Sequence, residues 1–211
     1  MGDRHQGIIL DRDGTLIDVV REEETGVVTV AFHPSHLRLL PGVIEGLKLL
    51  RDAGYVLCLA TNQPGAAKGQ ITVGAIERTN AALQILLREH DLMLATVEVC
   101  LHHPEGGPGG DPSLIRACDC RKPRPGLLLR ALETAALDPA RTWMVGDSPG
   151  DVEAARAAGV RAGLVFPLNR CELCPQRDGP SAVPDVVATR FDEVARAIIA
   201  RDAGATEDTR A

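Results

Sequence analysis

Ile8-Ile9-Leu10-Asp11-Arg12-Asp13-Gly14-Thr15 is the stretch from which the rest of the chain can be read. A short apolar run that stops at a carboxylate reads as a buried strand running into a polar turn. Two carboxylates two residues apart after such a strand are costly to take out of water unless a cation or a proton offsets them. Mg²⁺ meets that need, because it prefers hard oxygen ligands. A carboxylate screened in this way can attack a phosphoryl group, and the second can protonate the leaving oxygen and later activate water. Gly14 allows the sharp turn. Asp also serves as a helix N-cap or in Asx-turns, so these eight residues alone leave both readings open.

Downstream, strand and helix patterns alternate, which predicts a doubly wound α/β fold with a mostly parallel, Rossmann-like sheet. Pro41-Gly42 opens a helix with Val43, Ile44, Leu47 and Leu50 on one stripe, and Gly54 closes it. Tyr55 to Ala60 is a second strand ending at Thr61-Asn62-Gln63. A helix follows from Thr72 to Glu89, and then a strand from Val97 to Leu101. Residues 104–117 are rich in Gly and Pro and read as a loop. Pro125 to Ala136 is helical, Thr142 to Gly146 is a strand stopping at Asp147, and Val152 to Ala158 is helical. Ala162 to Phe166 is a strand, Val186-Val187 an edge strand, and Phe191 to Ala200 a last helix. Thr25-Gly26 suits a hairpin turn before Val27 to Val30.

The 211 residues predict one domain over 1–204, including a loop at 100–120, and a polar tail over 205–211 that frays. Hydrophobic residues make up 45% but aromatics only 2%, so the core must be built from Ala, Leu, Val and Ile. Scarce aromatics and a net charge of −6 argue against a nucleic-acid binder. No apolar run approaches the ~18 residues of a spanning helix, and no secretory h-region follows the N-terminus. The expectation is a cytoplasmic monomer acting on a small molecule, with neither nucleic acid nor membrane as partner.

Ligands of open α/β sheets bind outside the carboxyl ends of the strands. Asp11 and Asp13, Thr61 and Asn62, and Asp147 all fall at such ends, so they should meet in one pocket. Thr61-Asn62 offers a hydroxyl and backbone N–H groups suited to phosphate oxygens. Arg121-Lys122-Pro123-Arg124-Pro125 puts cations ahead of a helix, where a Lys can neutralise charge developing in phosphoryl transfer. Asp147 is a metal-ligand candidate, whereas Asp151 sits where a helix N-terminus favours a carboxylate.

These four clusters, in this order, resemble the motifs of the haloacid dehalogenase superfamily across residues 8–166. The resemblance implies Asp11 as nucleophile and Asp13 as general acid/base. It implies Mg²⁺ held by the Asp11 and Asp147 carboxylates and the Asp13 main-chain carbonyl, with Thr61 and Lys122 stabilising the phosphoryl group. An Asp at position 13 typifies the phosphatases and phosphotransferases of that superfamily.

Six cysteines invite a disulfide reading, but their spacing suggests another. In Cys100-x-His102 and Cys118-x-Cys120, residues i and i+2 of an extended chain point the same way. Three Cys and one His fit a closed tetrahedral Zn²⁺ site, structural in role, whose ion folds the intervening loop. His103 reads as a surface residue, with a contact to the metal ligands or to substrate as the alternative, Cys58 as an inert core thiol, and Cys171-x-x-Cys174 has no second ligand pair.

With the zinc loop included, the chain is similar to the D-glycero-D-manno-heptose 1,7-bisphosphate phosphatases, a group that also holds the histidinol-phosphate phosphatases. That resemblance implies a capless fold, a phosphosugar substrate, and Asn62 and Arg121 as substrate contacts. It departs from the pattern at Asp18 to Leu40, with its Arg21-Glu22-Glu23-Glu24 run, and at Pro64. A zinc-stabilised binding module without catalysis is the reading of a different class; the Asp11, Asp13, Lys122 and Asp147 set weighs against it.

Overall fold

The computed structural model describes residues 4–21, 28–166 and 183–208. The opening apolar run is the central strand β1 (His5–Leu10), between β4 (Val56–Asn62) and β6 (Leu137–Gly146). Outward lie β5 (Thr96–Cys100) on one side, and β7 (Arg161–Val165) and β8 (Val186–Ala188) on the other. The order is β5-β4-β1-β6-β7-β8, and every neighbouring pair is parallel. Between β1 and β4, the only strands among the described residues are β2 (Val20–Arg21) and β3 (Val28–Thr29), an antiparallel pair; no cap domain is described there. The turn expected at Thr25-Gly26 lies outside the described residues, as do Cys171 and Cys174.

Side chains alternate across β1, and the two faces bury different helices. Ile8 and Leu10 pack with Leu47 and Leu50 of α1 (Val43–Asp52), Leu83 of α2 (Val73–Arg88) and Phe191 of α5 (Phe191–Asp208). Ile9 faces the other layer, with Leu127 and Leu128 of α3 (Gly126–Thr134) and Val152 of α4 (Pro149–Ala158). The core is aliphatic, as the composition requires; Trp143 and Phe191 are the aromatics that join it fully buried. From β1 the chain goes to β4 and β5 on one side, then crosses back to β6, β7 and β8 on the other. This makes the carboxyl end of β1 the switch point, where the sheet opens a crevice.

Several boundaries differ from the sequence reading; α4, for one, begins at Pro149 rather than Val152. Gly42 takes the left-handed region (φ 84) before Val43, so Pro41 stands outside α1 rather than in its first turn. Strand β6 begins at Leu137, opposite His5, and its register shifts before Thr142 pairs with Gly7. Asp138 to Arg141 carry that shift, and with Pro139 among them they read as loop in the sequence. Helix α5 runs through Gly204 to Asp208, beyond the expected Ala200.

Asp202 of α5 accepts hydrogen bonds from Tyr55 Oη (2.6 Å), just before β4, and from Trp143 Nε1 (3.1 Å) within β6, and pairs with Arg161 at the start of β7. The Arg161 guanidinium also lies over the Trp143 ring, 4.3 Å from its centroid. Among the described residues no helix is long and apolar enough to cross a membrane.

Candidate active site

The crevice at the switch point is a cavity of about 220 Å³, lined by Asp11, Asp13, Thr61, Asn62 and Lys122, with Val30, Ser148, Gly150 and Asp151. The turn after β1 delivers Asp11 and Asp13. Gly14 adopts φ 83, and a Cβ there would come within 2.3 Å of Asp147 Oδ2, so its lack of a side chain both makes the turn and admits Asp147. The end of β4 supplies Thr61 and Asn62, and β6 ends at Gly146 ahead of Asp147. A Cβ at Gly146 would strike the Asp151 carboxyl, so this glycine lets α4 approach the site.

Lys122 is buried and uses its ammonium fully. It donates to Asp11 Oδ1 (2.7 Å) and the Ala60 carbonyl (2.8 Å), and pairs with Asp151 Oδ1 (2.6 Å). Burial works against its charge, but Asp11 and Asp151 raise its pKa above the ordinary lysine range. Asn62 fixes its backbone: the amide donates to the Lys122 carbonyl (3.0 Å) and accepts from the Lys122 N–H (3.1 Å). So Asn62, expected as a substrate contact, lines the cavity while also holding the main chain of Lys122.

Asp11 has its pKa pushed up to about 7 by burial and by the Asp151 and Asp147 charges, against the pull of Lys122. Oxygens of Asp11, Asp147 and Asp151 lie within 4.8 Å of one another. Three carboxylates around one ammonium leave an excess of negative charge, which suits a hard divalent cation. Asp151 is already committed, through Oδ1 to Lys122 and through Oδ2 to the Ser148 N–H (3.1 Å) and hydroxyl (2.5 Å). It is the helix cap the sequence suggested, and it is also a partner of Lys122.

Arg121 is not among the residues lining this cavity; its Nη1 is buried and makes no hydrogen bond. The sequence reading missed Arg12, Gln63 and Asn80. Arg12 is completely buried and bonded to Asp13, Asn80 and Gln63. The available signal was an arginine between two carboxylates in a turn expected to be buried, since a buried charge needs partners.

Cys100, His102, Cys118 and Cys120 converge as their spacing predicts, at the carboxyl end of β5. The sulfurs are 3.1, 3.3 and 3.6 Å apart, and His102 Nδ1 lies 3.4 Å from Cys120 Sγ and 3.8 Å from Cys100 Sγ. Tetrahedral Zn²⁺ with Zn–S bonds of about 2.3 Å sets sulfurs about 3.8 Å apart, so the cluster has the size and chemistry for that ion. Burial raises the pKa of Cys100 and Cys120, which disfavours their thiolates without a cation. His102 Nε2 lies 2.9 Å from Arg116 Nη2; with a metal on Nδ1 that nitrogen carries a proton, and Arg116 must swing away. His103 Nδ1 accepts from the Glu105 and Gly106 N–H groups and so shapes the loop. Cys58 is fully buried among apolar side chains, as expected.

Comparison with known proteins agrees with this geometry. Residues 119–167, from the Cys118–Cys120 turn through α3, β6, α4 and β7, match the HAD-hydrolase-like family model. The D-glycero-β-D-manno-heptose-1,7-bisphosphate 7-phosphatase of Salmonella typhi is 35% identical over 153 residues, covering 72% of this chain and 76% of that enzyme. The enzyme of the same name from Haemophilus influenzae is 34% identical over 162 residues, covering 76% and 81%. In fold, the chain is similar to the D,D-heptose 1,7-bisphosphate phosphatase of B. bronchiseptica, solved with magnesium and phosphate. The TM-score is 0.72 and the identity 24%, over 93% of this chain and 99% of that one. The chain belongs to the heptose-1,7-bisphosphate 7-phosphatase family of haloacid dehalogenase-like phosphatases.

Proposed function

We propose that this phosphatase removes the 7-phosphate of D-glycero-D-manno-heptose 1,7-bisphosphate through an aspartyl-phosphate on Asp11. The observation that carries the reading is the meeting of Asp11, Asp13, Thr61 and Lys122 around one small cavity at the sheet's switch point. Asp11 attacks phosphorus as the bond to the sugar oxygen breaks, and Asp13 gives that oxygen its proton. Asp13 then takes a proton from water, which attacks the phosphoryl group and frees Asp11. The Lys122 hydrogen now on Asp11 can turn to a phosphoryl oxygen, while Asp151 and Ala60 keep the ammonium in place. Thr61 supplies a hydroxyl to the same group, and Asn62 and Arg121 contact the substrate. The cavity is smaller than pockets that enclose whole drug-sized ligands, so it suits the phosphoryl end, with the sugar at its mouth.

Asp11, Asp147 and the Asp13 carbonyl would hold Mg²⁺, which screens the charge of nucleophile and phosphate when bound. Cys100, His102, Cys118 and Cys120 would hold a structural Zn²⁺ that orders the loop leading to Arg121 and Lys122.

The test is phosphate release from the heptose bisphosphate, with histidinol phosphate at matched concentration, for the wild type and Asp11→Asn in Mg²⁺. Preferential release of the 7-phosphate by the wild type alone is expected. Equal turnover by Asp11→Asn would overturn the mechanism, and preference for histidinol phosphate would overturn the substrate.

A further inference from the structure

Asp13 is held by more than its place in the turn. Arg12 Nε donates to its Oδ2 at 3.0 Å, and Arg12 Nη2 to its Oδ1 at 3.2 Å. Gln63 Nε2 donates to Oδ2 at 2.6 Å, and the Ala31 N–H to Oδ1 at 3.3 Å. Oδ2 therefore has two bonds no longer than 3.0 Å, and Oδ1 two that exceed 3.1 Å. Shorter bonds to an ionised acceptor are the stronger ones.

Gln63 is 1% exposed, and its amide can face only one way. Its oxygen accepts from Arg12 Nη2 at 2.8 Å, and arginine only donates. Its nitrogen is thereby turned to Asp13 and, at 2.9 Å, to Thr61 Oγ1. Arg12 is aimed in turn by Asn80 of α2, whose Oδ1 accepts from Nη1 at 2.6 Å, and by the Ala31 carbonyl at 3.1 Å. Asn80 thus orients Arg12, Arg12 orients Gln63, and Arg12 and Gln63 converge on Oδ2 of Asp13, with the longer Arg12 bond reaching Oδ1.

We propose that Gln63, framed by Arg12 and Asn80, is a positioning residue that anchors Asp13 Oδ2 and leaves Oδ1 as the proton-transferring oxygen. The proposal rests on the reading of Asp13 as general acid/base. An acid that gives its proton to the sugar oxygen and then takes one from water must present the same oxygen in both half-reactions. Holding Oδ2 by the shorter bonds does this, while Oδ1 keeps only the two longer ones. The chain is saturated with donors and acceptors of fixed sense, so it also resists rotation of the carboxyl group.

The discriminating measurement is kcat/KM for an alkyl phosphate, the heptose bisphosphate, against p-nitrophenyl phosphate. This parameter covers the steps through leaving-group departure, and p-nitrophenolate leaves with little need of a proton. Asp13→Asn should lose about 10²- to 10⁴-fold on the alkyl phosphate and at least tenfold less on the aryl one. Gln63→Met, checked for folding by circular dichroism, should show the same selectivity, about tenfold or more. A purely structural role would lower both substrates together. Equal losses, or none, in a folded Gln63→Met beside a selective Asp13→Asn overturns the proposal and leaves Asp13's role intact. An unselective Asp13→Asn overturns both. If Gln63→Met does not fold, Asn80→Ala is judged by the same ratio.

Discussion

Asp151 and Lys122 form a buried ion pair 2.6 Å long that ties the first turn of α4 to the cation beside Asp11. Lys122→Ala should lower kcat by about 10²–10³-fold, the usual cost of removing a donor that meets developing charge. Asp151→Asn keeps an acceptor for Lys122 but loses the charge, so its kcat should fall less, with KM little changed. Steady-state kinetics on both variants checks the order; an Asp151→Asn enzyme as fast as the wild type would dissociate the pair from catalysis.

Asn62 holds Lys122 by its main chain, with one bond given and one taken. Asn62→Ala removes both and should cost about 1–3 kcal/mol of stability. Its kcat should fall together with the stability, because the clamp sets where the ammonium stands. Denaturant unfolding and kinetics on one preparation test this, and unchanged kcat would reduce Asn62 to a substrate contact.

For the Cys100, His102, Cys118 and Cys120 cluster, elemental analysis should find about one zinc per chain, as a four-ligand site requires. Cys118→Ser should lower that content and the melting temperature. Activity should fall with the metal, since Cys120 lies two residues from Lys122. A fully active, metal-free protein would separate the cluster from the site.

Asp185 gives a pH dependence outside the site. Burial favours its neutral form, but the Ala162 N–H at 2.9 Å and Arg156 at 2.9 Å outweigh it and hold its pKa below the ordinary value. Such a group adds stability above its unfolded pKa of about 3.9, and that contribution is lost as pH falls through the lower folded value. Asp185→Asn should flatten this part of the acid limb in thermal unfolding from pH 5 to 2. An unaltered limb would contradict the pairing.

The sequence made the strand ends around the cavity legible because buried parallel strands are short apolar runs, and each run gives way to a polar residue: Leu10 before Asp11, Ala60 before Thr61, Gly146 before Asp147. The Cys and His residues were legible because their ligand spacing is local. Arg12 was not. It stands between two aspartates that draw the reading to themselves, and its partners Gln63 and Asn80 stand 51 and 68 residues away, on elements that only the fold brings near. Asp151 was half read, since a helix cap is visible in sequence and an ion pair to Lys122 is not. The start of β6 was obscured by Pro139, which the register shift opposite β1 accommodates.

The Asp202 cluster has a consequence for how this protein tolerates change. It joins α5 to the start of β4 and of β7 and to Trp143 within β6, while Asp11, Thr61 and Asp147 stand at the carboxyl ends of β1, β4 and β6. The length of the strands keeps the two groups of residues from sharing a partner. Free energies of substitutions so separated add. Substitutions around Tyr55, Trp143, Arg161 and Asp202 can therefore accumulate or be repaired on their own account. The crevice is left free to vary its specificity against a reserve of stability it does not itself supply.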